Sequence, residues 1–358
     1  MITLFFCVVN KSALDIQYII PKYYGVFMKK FLTVAGAAIL AMLPLSACGQ
    51  QDGLKKVKVN EVTHSIFYAP MYLADSLGYF KEEGLKIELT NGGGANKVMT
   101  AVLSGDAHIG FCGPEAALYV EHGGTKDTPT VFGQLTKRDG SFLVSRNRED
   151  NFQWSDLKGK EVLAGRRGGV PAMTFEYVLK ENGFTQDDIN INYDVEFNLM
   201  TGAFEAGTAD YCTMFEPTAS DYQAAGKGYI VAAVGAASGE VPYTAYIAKR
   251  SWLDKNADIA EGFLRAVLKA VKYLDENTPE TAAPFLVSHF PSTSEQSIAT
   301  SLRSYKEIDA WQSDMAMTEQ SFNRLQDIIE SAGELPERAD FNALVDNTLV
   351  KKVYAALK

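Results

Sequence analysis

Short runs of alternating hydrophobic and polar residues are separated along most of this chain by longer stretches with helical periodicity. Val57 and Val59 alternate with polar residues, and Leu85, Ile87 and Leu89 do so again. This alternation is typical of half-buried strands. Short strands that alternate with helices predict α/β sheets, in which parallel strands are joined by helical crossovers.

The stretch THSIFYAPMYLADSLGYFKEEGL, residues 63–85, predicts the end of a strand, a turn, a short helix and the start of another strand. Pro70 suits the first turn of that helix, where a missing N–H costs little. Open α/β sheets bind ligands beyond such strand-to-helix turns. We therefore expect Tyr68 to face a ligand, and Phe67 and Tyr72 to fill the core.

A helix–strand–turn unit occurs twice in the sequence. Residues 96–115 predict a helix, a strand ending near Cys112 and a Gly-Pro-Glu turn, and residues 198–217 predict the same order around Cys212. A repeated unit predicts two similar lobes. Residues 241–249 alternate like a strand that returns to the first lobe, so two segments would connect the lobes as a hinge.

The expected fold class is therefore α/β, with two lobes, two mixed or parallel sheets, flanking helices and a two-segment hinge. Residues 56–143 and 246–358 would form the first lobe, and residues 144–245 the second. Three stretches carry the apolar stripe of an amphipathic helix and would pack on the first lobe. They are residues 259–274, 295–309 and 318–331.

The start of the chain has the composition of a targeting segment. Met28-Lys-Lys is followed by a charge-free apolar run that ends in Leu45-Ser-Ala-Cys48. A basic, an apolar and a small-residue part in this order are typical of a secretory signal, and the run is short for a membrane span. We expect residues 28–47 to be the signal, residues 48–55 a tether, and residues 1–27 a leader or extension.

The Leu-Ser-Ala-Cys sequence resembles a bacterial lipoprotein box. The resemblance implies cleavage before Cys48 and acylation of its sulfur, and buried acyl chains would hold the protein on the extracytoplasmic face of a membrane. The alternative is an ordinary signal peptide that is followed by a chance cysteine.

Composition and charge exclude some classes of protein. The 358 residues are 47% hydrophobic and 22% charged, which is ordinary for a globular protein. A formal charge of −10 gives no electrostatic support for binding nucleic acid. We expect Cys112 and Cys212 to be free thiols on opposite lobes. No Cys-x-x-Cys pair is present, so we expect no metal site and no cofactor.

Two glycine-rich turns could bind an anion. The first is NGGGAN, residues 91–96, where the backbone N–H groups of Gly93 and Gly94 precede a helix. It lacks the Gly-Lys-Ser/Thr ending of a P-loop. The alternative is a flexible turn.

The second turn is GRRGGVP, residues 165–171, at the start of a predicted helix in the second lobe. Backbone N–H groups at Gly168 and Gly169, with the guanidinium of Arg167, suit a sulfonate, nitrate, carboxylate or phosphate. The alternative is an arginine in a surface ion pair, which contributes little.

Several single residues could contact a ligand. A carboxylate such as Glu216 is costly to bury unless a cationic or N–H group meets it, so it would repel an anion and pair with an aminopyrimidine. Its alternative is to cap its own helix, which is our expectation for Glu115. His64 and His108 lack partners at motif spacing and are expected to be structural. Tyr243, in the second hinge segment, could touch a trapped solute.

Two motifs carry a family resemblance. Ala69-Pro-Met-Tyr-Leu-Ala, followed by Gly78-Tyr-Phe-Lys-Glu-Glu-Gly-Leu, resembles the opening of solute-binding proteins of the nitrate, sulfonate and taurine transport family, which includes thiamine-pyrimidine binders. The resemblance covers nearly all of the chain after Cys48. It implies a two-lobed, type II periplasmic-binding-protein fold and a monomeric solute receptor that works with an ABC permease and ATPase and catalyses nothing.

The turns, the charges and the hinge position together give a set of expected ligand contacts. These are Tyr68, Ala69, Pro70, Gly93, Gly94, Cys112, Gly113, Thr136, Arg167, Gly168, Gly169, Glu216 and Tyr243. Two alternatives stay open: an enzyme related to yeast-type pyrimidine synthases, whose cysteine-rich iron-associated motif this chain lacks, and a surface receptor without a role in transport. The solute is either a small anion or an aminopyrimidine-like vitamin precursor.

Overall fold

The computed structural model of the protein describes residues 53–195 and 199–358. The expected leader, the signal peptide, the lipidated Cys48 and most of the tether lie outside the described residues. Within them, no helix is both long enough and apolar enough to cross a membrane.

The strands follow the predicted alternation closely. They are β1 (Lys55–Glu61), β2 (Leu85–Asn91), β3 (Ile109–Cys112), β4 (Pro129–Thr136), β5 (Ser141–Ser145), β6 (Glu161–Leu163), β7 (Asn190–Asn192), β8 (Tyr211–Phe215), β9 (Tyr229–Ala233) and β10 (Thr244–Lys249).

The helices lie between these strands and after β10. They are α1 (Ala69–Ser76), α2 (Tyr79–Glu82), α3 (Ala95–Ser104), α4 (Glu115–His122), α5 (Val170–Glu181), α6 (Met200–Glu205), α7 (Thr218–Ala224), α8 (Val234–Ser238), α9 (Arg250–Lys255), α10 (Ala257–Glu276), α11 (Pro279–Ala282), α12 (Glu295–Glu307), α13 (Glu319–Ser331), α14 (Phe341–Leu344) and α15 (Thr348–Leu357).

The strands form two five-stranded mixed sheets with the same design. The first has the order β2-β1-β3-β10-β4 and the second the order β7-β6-β8-β5-β9. In each sheet three parallel strands are followed by one antiparallel strand that enters from the other side of the hinge: β10 pairs with β3 and β4, and β5 pairs with β8 and β9. The predicted α/β fold with two sheets and a repeated unit is confirmed.

The chain crosses between the sheets after β4 and again before β10. The two crossing segments are bonded to each other, since the Val241 N–H donates to the Lys137 carbonyl at 2.9 Å and the Tyr243 N–H to the Thr136 carbonyl at 3.1 Å. These bonds explain why β10 begins at Thr244, later than the alternation from residue 241 suggested. The division into lobes at 143/144 and 245/246 stays a prediction.

The long helix α10 forms much of the core of the first sheet. Its apolar stripe is buried as predicted, and the Phe263 ring contacts the rings of Phe80 at 5.3 Å and Tyr246 at 4.9 Å. Full burial of one such aromatic side chain stabilises the fold by about 2 kcal/mol. The expected stripe of Phe322, Leu325, Ile328 and Ile329 is likewise buried, on α13.

Candidate functional site

Phe67 joins the two sheets at the hinge. Its ring lies 5.8 Å from the rings of Phe215 in β8 and Tyr243 in the crossing segment, and 4.9 Å from the ring of Tyr305 in α12. A Cβ at Gly140 would lie 2.7 Å from this ring, so only glycine lets the first crossing segment pass. Phe67 is fully buried, which confirms its expected place in the core.

Tyr68 forms a wall beside this aromatic junction. The preceding turn is fixed by Ser65, whose hydroxyl oxygen accepts the Phe67 N–H at 3.2 Å. The Tyr68 ring packs on Phe111 at 4.4 Å, and its hydroxyl accepts a hydrogen bond from Thr244 at 3.4 Å. Tyr68 is only 3% exposed, and burial raises the pKa of its phenol.

Glu115, at the start of α4, has a buried carboxylate oxygen without a partner. The residue is 4% exposed, and Oε2 accepts no hydrogen bond from any described residue. Burial raises the pKa of this carboxyl to about 7, against the opposing effects of nearby backbone N–H groups and of Arg166. A Cβ at Gly113 would lie 2.0 Å from the carboxylate, so glycine makes the space it occupies.

A second carboxyl, Asp139, lies in the first crossing segment. It is fully buried, and its Oδ1 accepts the N–H and the hydroxyl of Ser141, both at 2.6 Å. Its Oδ2, like the hydroxyls of Thr136 and Tyr243, makes no well-aligned hydrogen bond among the described residues, but the Tyr243 hydroxyl lies close enough to act on it as a donor. Burial raises the pKa of Asp139 to about 6.

Tyr243 connects the two carboxyls. Burial raises the pKa of its phenol, and Asp139, Tyr68 and Glu115 raise it further, Asp139 both by its charge and by a hydrogen bond. We call Tyr68, Glu115, Thr136, Asp139 and Tyr243 the inner cluster. Buried polar groups are normally paired, and the unpartnered atoms here are two carboxylate oxygens, which accept, and the hydroxyls of Thr136 and Tyr243, which can accept or donate. The two carboxylate oxygens suit a ligand that carries N–H donors.

Glu216, the counterpart of Glu115 in the repeated unit, is arranged differently. Its Oε1 accepts the Ser220 hydroxyl at 2.6 Å and its Oε2 the Ser220 N–H at 3.0 Å. Its own backbone N–H donates to the Tyr305 hydroxyl at 3.0 Å. Glu216 thus caps the first turn of α7, which is the alternative the sequence left open, and its ligand contact stays a prediction.

A pocket of about 410 Å³ lies at the rim between α4 and the turn that precedes α5. We call it the rim pocket. The Tyr119 hydroxyl closes one side by donating to the Gly168 carbonyl at 3.5 Å, and the Arg167 guanidinium stacks on the Tyr193 ring at 4.1 Å. The lining residues are Tyr119, His122, Arg166, Arg167, Gly168, Glu334 and Pro336.

The remaining predicted contacts are distributed over other places. Ala69 and Pro70 are buried in α1, and Pro70 lines a separate pocket of about 110 Å³. Gly93 is exposed, its N–H bonds to the Asn91 side chain at 2.8 Å, and no hydrogen bond among the described residues links it or Gly94 to the inner cluster. Gly169 is the buried N-cap residue of α5.

Cys112 is the last residue of β3, and Gly113 follows it, two residues before Glu115. The thiols of Cys112 and Cys212 are free and buried, in different sheets. Burial raises the pKa of the Cys212 thiol to about 12. No group of three His, Cys, Asp or Glu side chains among the described residues could hold a metal ion.

Sequence reasoning missed several residues of the site. It assigned Glu115 to capping, and Asp139, Tyr119 and His122 were not singled out. The Gly-Pro-Glu turn at the end of a buried strand was the available signal for Glu115. Asp139 lies in a Lys-Arg-Asp-Gly turn that looks like any loop, and its role follows only from the burial of the crossing segment.

Comparisons with known proteins agree with this architecture. The model of a family described as "NMT1/THI5 like" matches residues 66–282. The chain is 41% identical over 317 residues to the protein named "Putative binding protein YtlA" of Bacillus subtilis (strain 168), covering 88% of this chain and 95% of YtlA. It is 28% identical over 235 residues to the 4-amino-5-hydroxymethyl-2-methylpyrimidine phosphate synthase of Aspergillus parasiticus, covering 61% of this chain and 65% of that enzyme.

Among solved structures, the periplasmic nitrate-binding protein NrtA of Synechocystis PCC 6803 matches with a TM-score of 0.68 at 16% identity, over 85% of this chain and 89% of NrtA. At that identity the match shows the fold alone, and it confirms the periplasmic-binding-protein architecture. With YtlA as a relative over nearly its whole length, this chain is a binding protein rather than an enzyme. The family model spans more than half of the chain, so the protein belongs to the NMT1/THI5-like family.

Proposed function

We propose that this protein is the extracytoplasmic solute-binding component of an ABC importer, and that it binds an N–H-rich heteroaromatic solute of the aminopyrimidine type between its two sheets. The observation that carries the proposal is the inner cluster, in which a buried oxygen of Glu115 has no partner among the described residues and a buried oxygen of Asp139 has only the nearby Tyr243 hydroxyl. An exocyclic amino group and ring nitrogens would supply the missing hydrogen bonds, and Tyr68 and Tyr243 would provide aromatic walls.

The energetics favour a donor-rich ligand over a simple anion. Each unsatisfied buried acceptor costs on the order of 1–3 kcal/mol, and this cost is recovered when a donor arrives. A nitrate or sulfonate in the same place would add negative charge beside two carboxyls. The relative from Aspergillus parasiticus, which is named for a pyrimidine, supports the same class of ligand.

A small anion remains the second candidate because of one specific observation. The guanidinium groups of Arg166 and Arg167 line the rim pocket and make no ion pair with any described carboxylate within 4.0 Å. Taurine, alkanesulfonates and nitrate would find complementary charge there.

A thermal-shift panel of the purified mature protein tests both candidates, because a ligand that binds only the folded state raises the melting temperature by mass action. We expect 4-amino-5-hydroxymethyl-2-methylpyrimidine to raise it, and taurine, methanesulfonate, nitrate and flavins to raise it less. A shift with taurine or nitrate and none with the pyrimidine would refute the donor-rich ligand class.

The membrane anchor is a separate part of the proposal. We infer that Cys48 is acylated after signal cleavage, and that one monomer delivers its solute to the permease from the extracytoplasmic face of the membrane. Cys48→Ser should move the protein from the membrane fraction to the soluble extracytoplasmic fraction. Retention in the membrane fraction would overturn the anchor without affecting the solute-binding proposal.

A further inference from the structure

The inner cluster and the rim pocket are one helical turn apart. Glu115 and Tyr119 occupy positions i and i+4 of α4, so their Cβ atoms are neighbours about 5–6 Å apart on one face. Glu115 belongs to the inner cluster and Tyr119 lines the rim pocket. A solute of ordinary metabolite size therefore could reach both places at once.

The rim pocket has the charge and the donors to bind an oxyanion. Two guanidinium groups face a single lining carboxylate, that of Glu334. The one hydrogen bond of the Arg166 side chain goes to the Arg167 carbonyl at a long 3.4 Å, which leaves most of its five donors available among the described residues. Arg167 is held in place by its stack on Tyr193, so little side-chain entropy is lost when it binds.

His122 adds an independent indication of a ligand. Its Nε2 atom is buried and has no partner among the described residues, and the residue lines the rim pocket. Its Nδ1 lies 3.7 Å from the Glu121 carboxylate, which is too far for a hydrogen bond. An imidazole with a proton on Nε2 can donate it to an anion in the pocket when the ring turns to expose that atom.

We propose that the rim pocket binds an oxyanion arm of the same solute whose N–H-rich ring meets Glu115, so that the ligand is amphoteric, with donors at one end and a phosphate, carboxylate or sulfonate at the other. This inference rests on the function proposed above. The sequence suggested either an anion or an aminopyrimidine as the ligand, and in this proposal the two groups are the two ends of one molecule. The positive rim and the negative inner cluster then fix the direction in which the solute enters.

Three probes that differ only in one substituent test whether the rim pocket binds an oxyanion arm of the solute. We would measure, by isothermal titration calorimetry at low salt, the Kd of 4-amino-5-hydroxymethyl-2-methylpyrimidine, of its phosphate monoester and of its 5-carboxymethyl analogue, which share one ring. We expect at least one anionic probe to bind about tenfold more tightly than the alcohol or better, with an advantage that shrinks as salt screens the charges. The ratio of the two anionic probes identifies the kind of oxyanion.

A double variant assigns that advantage to the pocket. Arg166→Gln with Arg167→Gln should abolish the preference for the anionic probe, and should change the Kd of the alcohol by a smaller factor than the Kd of the anion. Both residues are exposed, so the variant should fold. The matched control is Arg148→Gln, because Arg148, just after β5, is 74% exposed and pairs only with Asp150 among the described residues.

The outcomes separate the two proposals. Equal affinity of the wild-type protein for all three probes would overturn the amphoteric ligand and leave the donor-rich ligand standing. So would a double variant that weakens the alcohol and the anions equally. Failure of all three probes to bind would overturn the proposed solute class, and this inference with it.

Discussion

Replacing Glu115 by glutamine should stabilise the unliganded protein while weakening its binding of solute. Burial holds the pKa of the folded carboxyl at about 7, against 4.5 in the unfolded chain. Each pH unit of difference is worth about 1.4 kcal/mol, so ionised Glu115 lowers the free energy of unfolding by about 3 kcal/mol at alkaline pH. A glutamine has the same shape and no charge to bury.

The sign of the pH dependence follows from the same numbers. Below about pH 4.5 the carboxyl is neutral in both states and the variant should match the wild type. Between about pH 4.5 and 7 only the unfolded carboxyl ionises, so the wild type loses stability as the pH rises. Above pH 7 the difference between the two proteins should stay constant, at about 3 kcal/mol in favour of Glu115→Gln.

Urea unfolding between about pH 4 and 9 measures this difference. The matched control is Glu216→Gln, in the equivalent turn of the repeated unit. That carboxylate accepts two hydrogen bonds from Ser220, so its loss should destabilise the protein by about 1 kcal/mol at neutral pH. If Glu115→Gln were less stable than the wild type at pH 8, the buried carboxyl would not be the unsatisfied group that we describe.

Two further predictions concern neighbouring contacts. Gly113→Ala would place a Cβ 2.0 Å from the Glu115 carboxylate and displace it, so the affinity for solute, measured by calorimetry, should fall about tenfold, or about 1.4 kcal/mol. Gly202→Ala is the control, because its Cβ would lie in open space and the variant should bind as the wild type does. Equal affinities of the two variants would argue against a ligand contact by this carboxylate. His64 bonds to Glu61 at 2.8 Å, and this bond raises the His64 pKa, so the stability it supplies is complete below about pH 6.5 and is lost as the pH rises through the folded pKa. His64→Gln should remove that alkaline loss, about 1 kcal/mol or less for a side chain 35% exposed, from urea unfolding at about pH 6 to 9; an unchanged slope would contradict the assignment.

The sequence predicted the elements of this fold well where one face of an element alternates in polarity. The apolar stripe of α10 and the alternation in β1 and β2 show which face of each element is buried, because an apolar face must be covered by a neighbouring element. The repeated unit of helix, strand and turn predicted the architecture of two sheets. The start of β10 was less predictable, since it depends on bonds from residues 241 and 243 to the other crossing segment.

The site was predicted less completely because its chemistry depends on which polar atoms lack partners. Glu115 and Glu216 occupy equivalent turns and look alike in the sequence. Ser220, four residues after Glu216, supplies two donors, whereas the corresponding residue after Glu115 is Tyr119, which points to Gly168 instead. The Ser220 hydroxyl, one helical turn away, gives Glu216 a side-chain donor that Tyr119 does not give Glu115.

The order of strands in the two sheets also has a consequence for how the chain folds as it is made or exported. All five strands of the second sheet lie between residues 141 and 233, so that sheet can assemble from one continuous stretch. In the first sheet β4 pairs with no strand other than β10 among the described residues, and it must wait until residues 244–249 arrive. The first sheet therefore begins earlier in the chain than the second sheet but is completed later, when the second sheet has already formed.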